Sequence, residues 1–151
     1  MAKQQEDLYR DEHNKVFQTL TMTVPLPPSQ NHMYVNNGRG GRILSAKAKK
    51  YLRTLQAWAK LQVEEQDWKL RDDSTWYYVD MVFFFPDRRK RDSHNQIKLL
   101  LDGLEEIVYI NDRYVLPRIQ AVEYDKENPR LELHILPQTK KHRKEALKNP
   151  S

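Results

Sequence analysis

Hydrophobic and polar positions change period several times along the 151-residue chain, and each change marks an element. Residues 1–15 show no period and predict a mobile arm or short surface helix. Over residues 17–25, Leu20, Met22 and Val24 fall on one side with threonines between them, the two-residue period of a half-buried strand. Residues 26–42 (LPPSQNHMYVNNGRGGR) lose the period and are rich in Pro, Asn and Gly, which predicts a long loop of the kind that usually serves function. From Ser45, a ready N-cap, the period becomes helical to about Gln66. Leu52, Leu55, Ala59 and Val63 form its stripe, widened by Tyr51, Trp58 and Gln62.

Asp72-Asp73-Ser74 interrupts the chain before residues 76–85 (WYYVDMVFFF), an aromatic and β-branched run closed by Pro86 and the strongest strand signal present. A basic loop over residues 87–92 leads into a second helix reaching about Glu106. Residues 115–124 and 130–136 read as strands, and the turn DKENP between them predicts an antiparallel hairpin. From Thr139 the chain is basic and poor in apolar residues, the composition of a disordered tail or a weak electrostatic anchor for DNA. One strand–helix–strand crossover is expected. The predicted fold is α+β: a mixed, largely antiparallel sheet with two main helices packed on one face. It divides into an N-terminal arm (1–16), one domain (17–137) and the basic tail (138–151).

Composition narrows the partners. A hydrophobic share of 38% is enough for a core, while 31% charged residues and a net charge of +5 fit an anionic partner, as they also fit an ordinary basic surface. The chain has no cysteine, which excludes disulfides, thiolate zinc sites and a cysteine nucleophile and fits a reducing cytoplasm. No apolar run approaches the ~18 residues of a membrane span, and the polar start is not a secretory signal. A cytoplasmic protein without a membrane partner is expected.

Candidate chemistry concentrates in residues 88–115 (RRKRDSHNQIKLLLDGLEEIVYINDRYV). At 100° per residue Ile97, Leu100, Leu101, Leu104 and Val108 form an apolar face, and Asn95, Lys98 and Asp102 form a column nearly opposite. Leu99 shares the polar side, which predicts that something covers the column. Singly these residues are ambiguous: Asp92 can cap the helix, His94 can be an ordinary histidine, Asp102 can pair with Lys98, and Asp112 can be a loop acid at a strand mouth. Together they match the needs of phosphodiester cleavage. The cations Arg88, Arg89, Lys90 and Arg91 draw in a polyanion, and Asp92, His94, Asp102 and Asp112 offer ligands to a hard metal that polarises phosphate and activates water. A lysine beside them can steady charge developing on the phosphate. Arg39 and Arg42, in a glycine-rich run without the Lys-Ser/Thr ending of a P-loop, suit contacts to a DNA backbone.

At these residues the chain resembles the RusA-type crossover junction endodeoxyribonucleases, common in prophages, which resolve Holliday junctions. The matching residues are Pro86-Asp87, the basic run 88–91, Asp92, His94, Asn95, Lys98, Asp102, Asn111 and Asp112. Upstream, Pro27-Pro28-Ser29-Gln30-Asn31 matches the family's loop, and Ser45 the start of its next helix. The resemblance spans roughly residues 21–136. It implies a homodimer that binds branched double-stranded DNA and nicks two strands symmetrically with Mg²⁺ or Mn²⁺. It further implies that Asp92, Lys98 and Asp112 are catalytic, that Asp92, His94 and Asp112 hold the metal, and that Asn31, Asn95, Asp102 and Asn111 support them. Two positions depart from the pattern: His94 stands where the family has aspartate, and Asn111 where it has the first of an Asp-Asp pair. A non-catalytic junction-binding protein on the same fold is the alternative those departures raise.

Overall fold

The computed structural model describes residues 8–10, 16–29, 32–91 and 94–148. Its centre is a four-stranded sheet, built from β3 (Leu20–Val24), β6 (Tyr77–Phe85), β7 (Val115–Tyr124) and β8 (Arg130–Pro137) in the order β3-β8-β6-β7. Two short hairpins accompany it: β1 (Leu8–Arg10) with β2 (Val16–Gln18), and β4 (Tyr34–Asn36) with β5 (Arg42–Leu44). The helices are α1 (Ala46–Glu65), α2 (His94–Leu104) and α3 (Lys140–Lys148). This is the mixed, mainly antiparallel α+β architecture that the patterning predicts.

The topology differs from expectation in one respect. β7 and β8 do not pair with each other; β6 lies between them, parallel to β7 and antiparallel to β8. The turn 125–129 therefore carries the chain across the end of β6, where the Asp125 N–H donates to the Phe85 carbonyl at 2.8 Å. β6 has the most apolar surface to bury and gains from neighbours on both edges. β7 carries Pro117, which has no N–H to donate, and pairs with β6 through an irregularity at Met81/Val82; both features suit an edge strand.

Two glutamines protect the opposite edge. Gln62 accepts from the Thr23 N–H (2.7 Å) and donates to the Thr23 carbonyl (2.8 Å), while Gln66 makes the same pair of bonds to Thr21 (3.2 and 2.6 Å). Their four-residue spacing along the helical register matches the two-residue spacing of alternate strand positions, so these side chains take the place of a further strand.

α1 begins at Ser45, whose hydroxyl accepts from the Ala48 N–H at 3.1 Å, and buries Ala48, Tyr51, Leu55 and Ala59. Trp58, assigned to the stripe from sequence, is instead 44% exposed. α1 packs on α2 so closely that a Cβ on Gly103 would sit 2.6 Å from Leu55 Cδ2 and 2.9 Å from Leu52 Cδ2, so a larger residue there would force these leucines to shift. α2 buries Gln96, Leu99, Leu100 and Leu104, with Ile97 and Leu101 half-buried. Leu99 thus belongs to the core face, which is turned towards it relative to the predicted stripe, and Val108 packs into the core from beyond the helix end.

Several segments are more ordered than their composition predicts. Part of the loop 26–42 forms the β4–β5 hairpin, closed by Gly38 and Gly40 in the left-handed region and by Asn37, whose Oδ1 accepts from the N–H groups of Arg39 and Gly41. Leu8–Arg10, in the predicted arm, pairs with β2. The predicted tail forms α3, capped by Thr139 Oγ1 accepting from the His142 N–H at 3.2 Å, and His142 meets the Tyr78 ring edge-on at 5.6 Å. Local capping and one aromatic contact supply what the low hydrophobicity of the segment does not.

Candidate active site

The acidic centre forms where α2 ends. Lys98 Nζ stands 3.6 Å from Asp102 Oδ2, one turn apart on the helix. The Asp102 carboxyl is pushed above the usual carboxylate range, first by partial burial and then by hydrogen-bonding contact with the Asp112 carboxyl, with Lys98 opposing the shift. Two carboxyl groups held this close favour a shared proton or a bound cation.

Residues 105–114 hold Asp112 in place. Glu106 turns the chain with φ 68, and its N–H donates to the Tyr109 carbonyl at 2.6 Å. Tyr109 is buried, and its hydroxyl donates to the Leu101 carbonyl at 2.6 Å. The Trp68 indole N–H donates to the Val108 carbonyl at 2.8 Å. Asn111 caps the short 3₁₀ turn Asp112–Tyr114, its Oδ1 accepting from the Arg113 N–H at 2.9 Å. The Asp112 N–H itself donates to Glu105 Oε1 at 3.0 Å. Burial, followed by the charges of Asp112, Glu105 and Asp102, raises the Tyr109 hydroxyl well above its ordinary value.

Glu105 has no place in the sequence reading. Its only signal there is position, one residue past the helix and seven before Asp112, which becomes informative only when the turn at Glu106 is known.

The remaining predicted residues spread along α2 and β6. His94 opens α2, eight residues before Asp102, about 12 Å along the axis. Asp92 and Asn31 lie outside the described residues, as does the side chain of Asn95. The basic loop follows the C-terminal end of β6, whereas Asp112 precedes β7 at the N-terminal end of β6, where Val115 pairs with Tyr77. Nine residues of strand put these ends about 26 Å apart. The cations and Asp112 therefore form a track joined by the α2 column, not the compact cluster that the sequence spacing predicts. Among the described residues no three acidic or histidine side chains converge as a metal cage.

The cations of the loop differ among themselves. Arg91 donates to the Asp87 carboxylate at 2.7 Å and to its carbonyl at 2.8 Å, lies over the Phe85 ring, and is only 21% exposed. Arg88 lies over Tyr124 at 4.4 Å. Arg89, 81% exposed and 3.9 Å from Asp87, and the exposed Lys90 face solvent. Asp87 is held below its ordinary pKa, first by the Arg89 N–H and then by Arg91. Arg39 and Arg42 are exposed on the β4–β5 hairpin, Arg42 5.5 Å above Tyr34.

No helix among the described residues is long and apolar enough to cross a membrane. Comparison with curated proteins finds no match. The family model described as endodeoxyribonuclease RusA matches residues 25–136, from the loop before β4 to the end of β8. That span holds the acidic centre, the α2 column and both basic segments, and it makes this chain a member of the RusA family of endodeoxyribonucleases, enzymes that act on DNA junctions.

Proposed function

We propose that the protein resolves Holliday junctions by symmetric, divalent-metal-dependent nicking, and that it does so as a homodimer. The contact between Asp102 and Asp112, with Lys98 at its side, carries this reading. The donors at this centre are carboxylate oxygens, which fit hard ions such as Mg²⁺ or Mn²⁺; one or two carboxylates suffice when water and phosphate oxygens complete the shell. A bound ion there supplies Lewis acidity towards a phosphate oxygen and lowers the pKa of a bound water.

The protein's own groups do the rest. Asp102 and Asp112 would hold the cation; His94, a ligand in the family pattern, stands about 12 Å along α2 from Asp102, too far to share that ion. Lys98 places a positive charge where negative charge develops on the phosphate. Glu105 and Asn111 fix the backbone that presents Asp112. Arg89 and Lys90 engage the DNA backbone at the far end of the track, where duplex rising ~3.4 Å per base pair spans the 26 Å separation in about eight pairs. Two copies of the site are needed for paired incisions.

The test is nicking of a synthetic four-way junction with Mg²⁺ or Mn²⁺. Wild-type protein is expected to give paired, symmetric nicks. Asp112→Asn is expected to lose about 100-fold or more while still shifting the junction in a gel. His94→Asp is expected to leave the rate with Mg²⁺ unchanged, because His94 stands about 12 Å along α2 from Asp102. Intact junctions with both metals, at protein concentrations that shift all the DNA, would overturn the proposal.

A further inference from the structure

At the Asp112 end of the sheet lies an aromatic and cationic patch that the acidic centre does not use. The Gln138 N–H donates to the Trp76 carbonyl at 2.8 Å, pinning Trp76 to the end of β8. The parallel register, with Tyr77 opposite Val115, brings Trp76 beside Tyr114. Their rings meet edge-to-face, with centroids 5.7 Å apart and planes at 87°. The Arg113 guanidinium lies 4.7 Å over the Tyr114 ring and donates to its hydroxyl at 2.7 Å. Trp76 nevertheless remains 41% exposed. An edge-to-face pair leaves ring surface open that a stacked pair would cover, and an indole this exposed gains little from folding alone.

The surroundings identify the kind of ligand. α3 starts just after Gln138, with its first turn against Tyr78, and presents the exposed cations Arg143 and Lys144. Arg113 is exposed as well. Tyr114 closes the 3₁₀ turn that Asp112 opens, roughly 4 Å further along its axis. An open indole among cations, next to a residue of the acidic centre, fits a nucleobase attached to phosphates better than an apolar peptide. Bases at the branch point of a junction lose neighbours from their stack, and stacking on an aromatic side chain accepts any base.

We propose that Trp76, supported by Tyr114 and Arg113, is a stacking platform for a nucleobase displaced at the branch point, and that Arg143 and Lys144 hold the adjoining phosphates. This rests on the junction-nuclease reading for the identity of the DNA, but it is tested by binding and does not require cleavage.

The experiment uses full-length protein in EDTA and four-way junctions carrying 2-aminopurine at the branch point or, as a control, within an arm. Wild-type protein is expected to change the fluorescence of the branch-point probe and to leave the arm probe unchanged. Trp76→Ala is expected to lose that response and to bind the junction about tenfold more weakly. Trp76→Phe, which keeps a ring for stacking, is expected to retain both; circular dichroism checks that each variant folds. Arg143→Ala with Lys144→Ala should reduce the salt dependence of binding, and Trp76→Ala should leave it unchanged.

An identical probe response and affinity in wild type and folded Trp76→Ala would overturn the platform, even if wild-type protein nicks junctions with metal. Loss of binding in Trp76→Phe equal to that in Trp76→Ala would assign Trp76 a packing role and also overturn it. A branch-specific response in wild-type protein that never nicks with metal would sustain the platform and sink the nuclease reading.

Discussion

The two ends of α2 carry charge of opposite sign and are built in opposite ways. At the C-terminal end, the backbone around Asp112 is tied by Glu105, by Asn111 and by the buried Tyr109, so the carboxylate comes from a stretch with little freedom. At the N-terminal end, the basic loop divides its work. Arg91 is absorbed by Asp87 and Phe85, while Arg89 and Lys90 project into solvent. Chemistry needs an atom held to a fraction of an ångström, whereas capture of a polyanion needs only charge within a Debye length. Four adjacent cations in a sequence are therefore not equivalent: here one of them stabilises the loop on which the others are displayed.

Removing the supports of Asp112 should have the largest effect on this contrast. Glu105→Ala is expected to lower nicking by about 10- to 100-fold, the usual cost of losing a group that orients a ligand, with little change in junction affinity. Glu105→Gln keeps an oxygen that can accept the Asp112 N–H and is expected to restore most of the rate. Single-turnover nicking beside gel-shift titration separates the two quantities. A Gln variant as poor as Ala would show that Glu105 acts through its charge and not by positioning.

At the other end, Arg89→Ala with Lys90→Ala should reduce the slope of log affinity against log salt by about two, with melting temperature unchanged. Arg91→Ala is expected to cost roughly 1–2 kcal/mol of folding stability, because it removes charge-assisted hydrogen bonds from a largely covered side chain. If urea denaturation shows Arg91→Ala as stable as wild type, the division of labour within the loop fails.

How far the sequence foretells each end follows from the range of the interactions involved. α1 with its Ser45 cap and the strand 77–85 are set by local period and capping and are found where patterning puts them, while the apolar face of α2 is found turned towards Leu99. The β7–β8 pairing fails because DKENP is a good turn wherever its flanking strands go. What separates them is competition for the edges of β6, a non-local effect. Likewise the residue column Lys98–Asp102 is legible from the helical period, and its contact with Asp112 is not. That contact depends on the left-handed Glu106 and on the burial of Tyr109, neither of which leaves a periodic trace. The length of β6, about 26 Å, that lies between Asp112 and the basic loop is hidden for the same reason: α2 reverses the chain, so nearness in sequence becomes distance in space.

The smallest effects concern acid stability, and here too two carboxyl groups behave oppositely. Asp73, ahead of β6, is held down to about 2, first by its hydrogen bond from Arg71 and further by Thr75. Its folded-state pKa lies below its unfolded one, so its contribution is complete above the ordinary carboxylate value of 3.8 and fades as pH falls towards 2. The carboxylate is 46% exposed, and solvent screening keeps that contribution under ~1 kcal/mol. Asp102 is raised instead, so its ionisation works against folding as pH climbs through the carboxylate range. Urea denaturation from pH 2.5 to 7 should therefore show Asp73→Asn losing stability mainly above pH 4, and Asp102→Asn gaining it there. Parallel curves for the two variants would mean that neither burial nor Asp112 raises the Asp102 carboxyl in solution, which would remove the support that this shift lends to a cation at that end of α2.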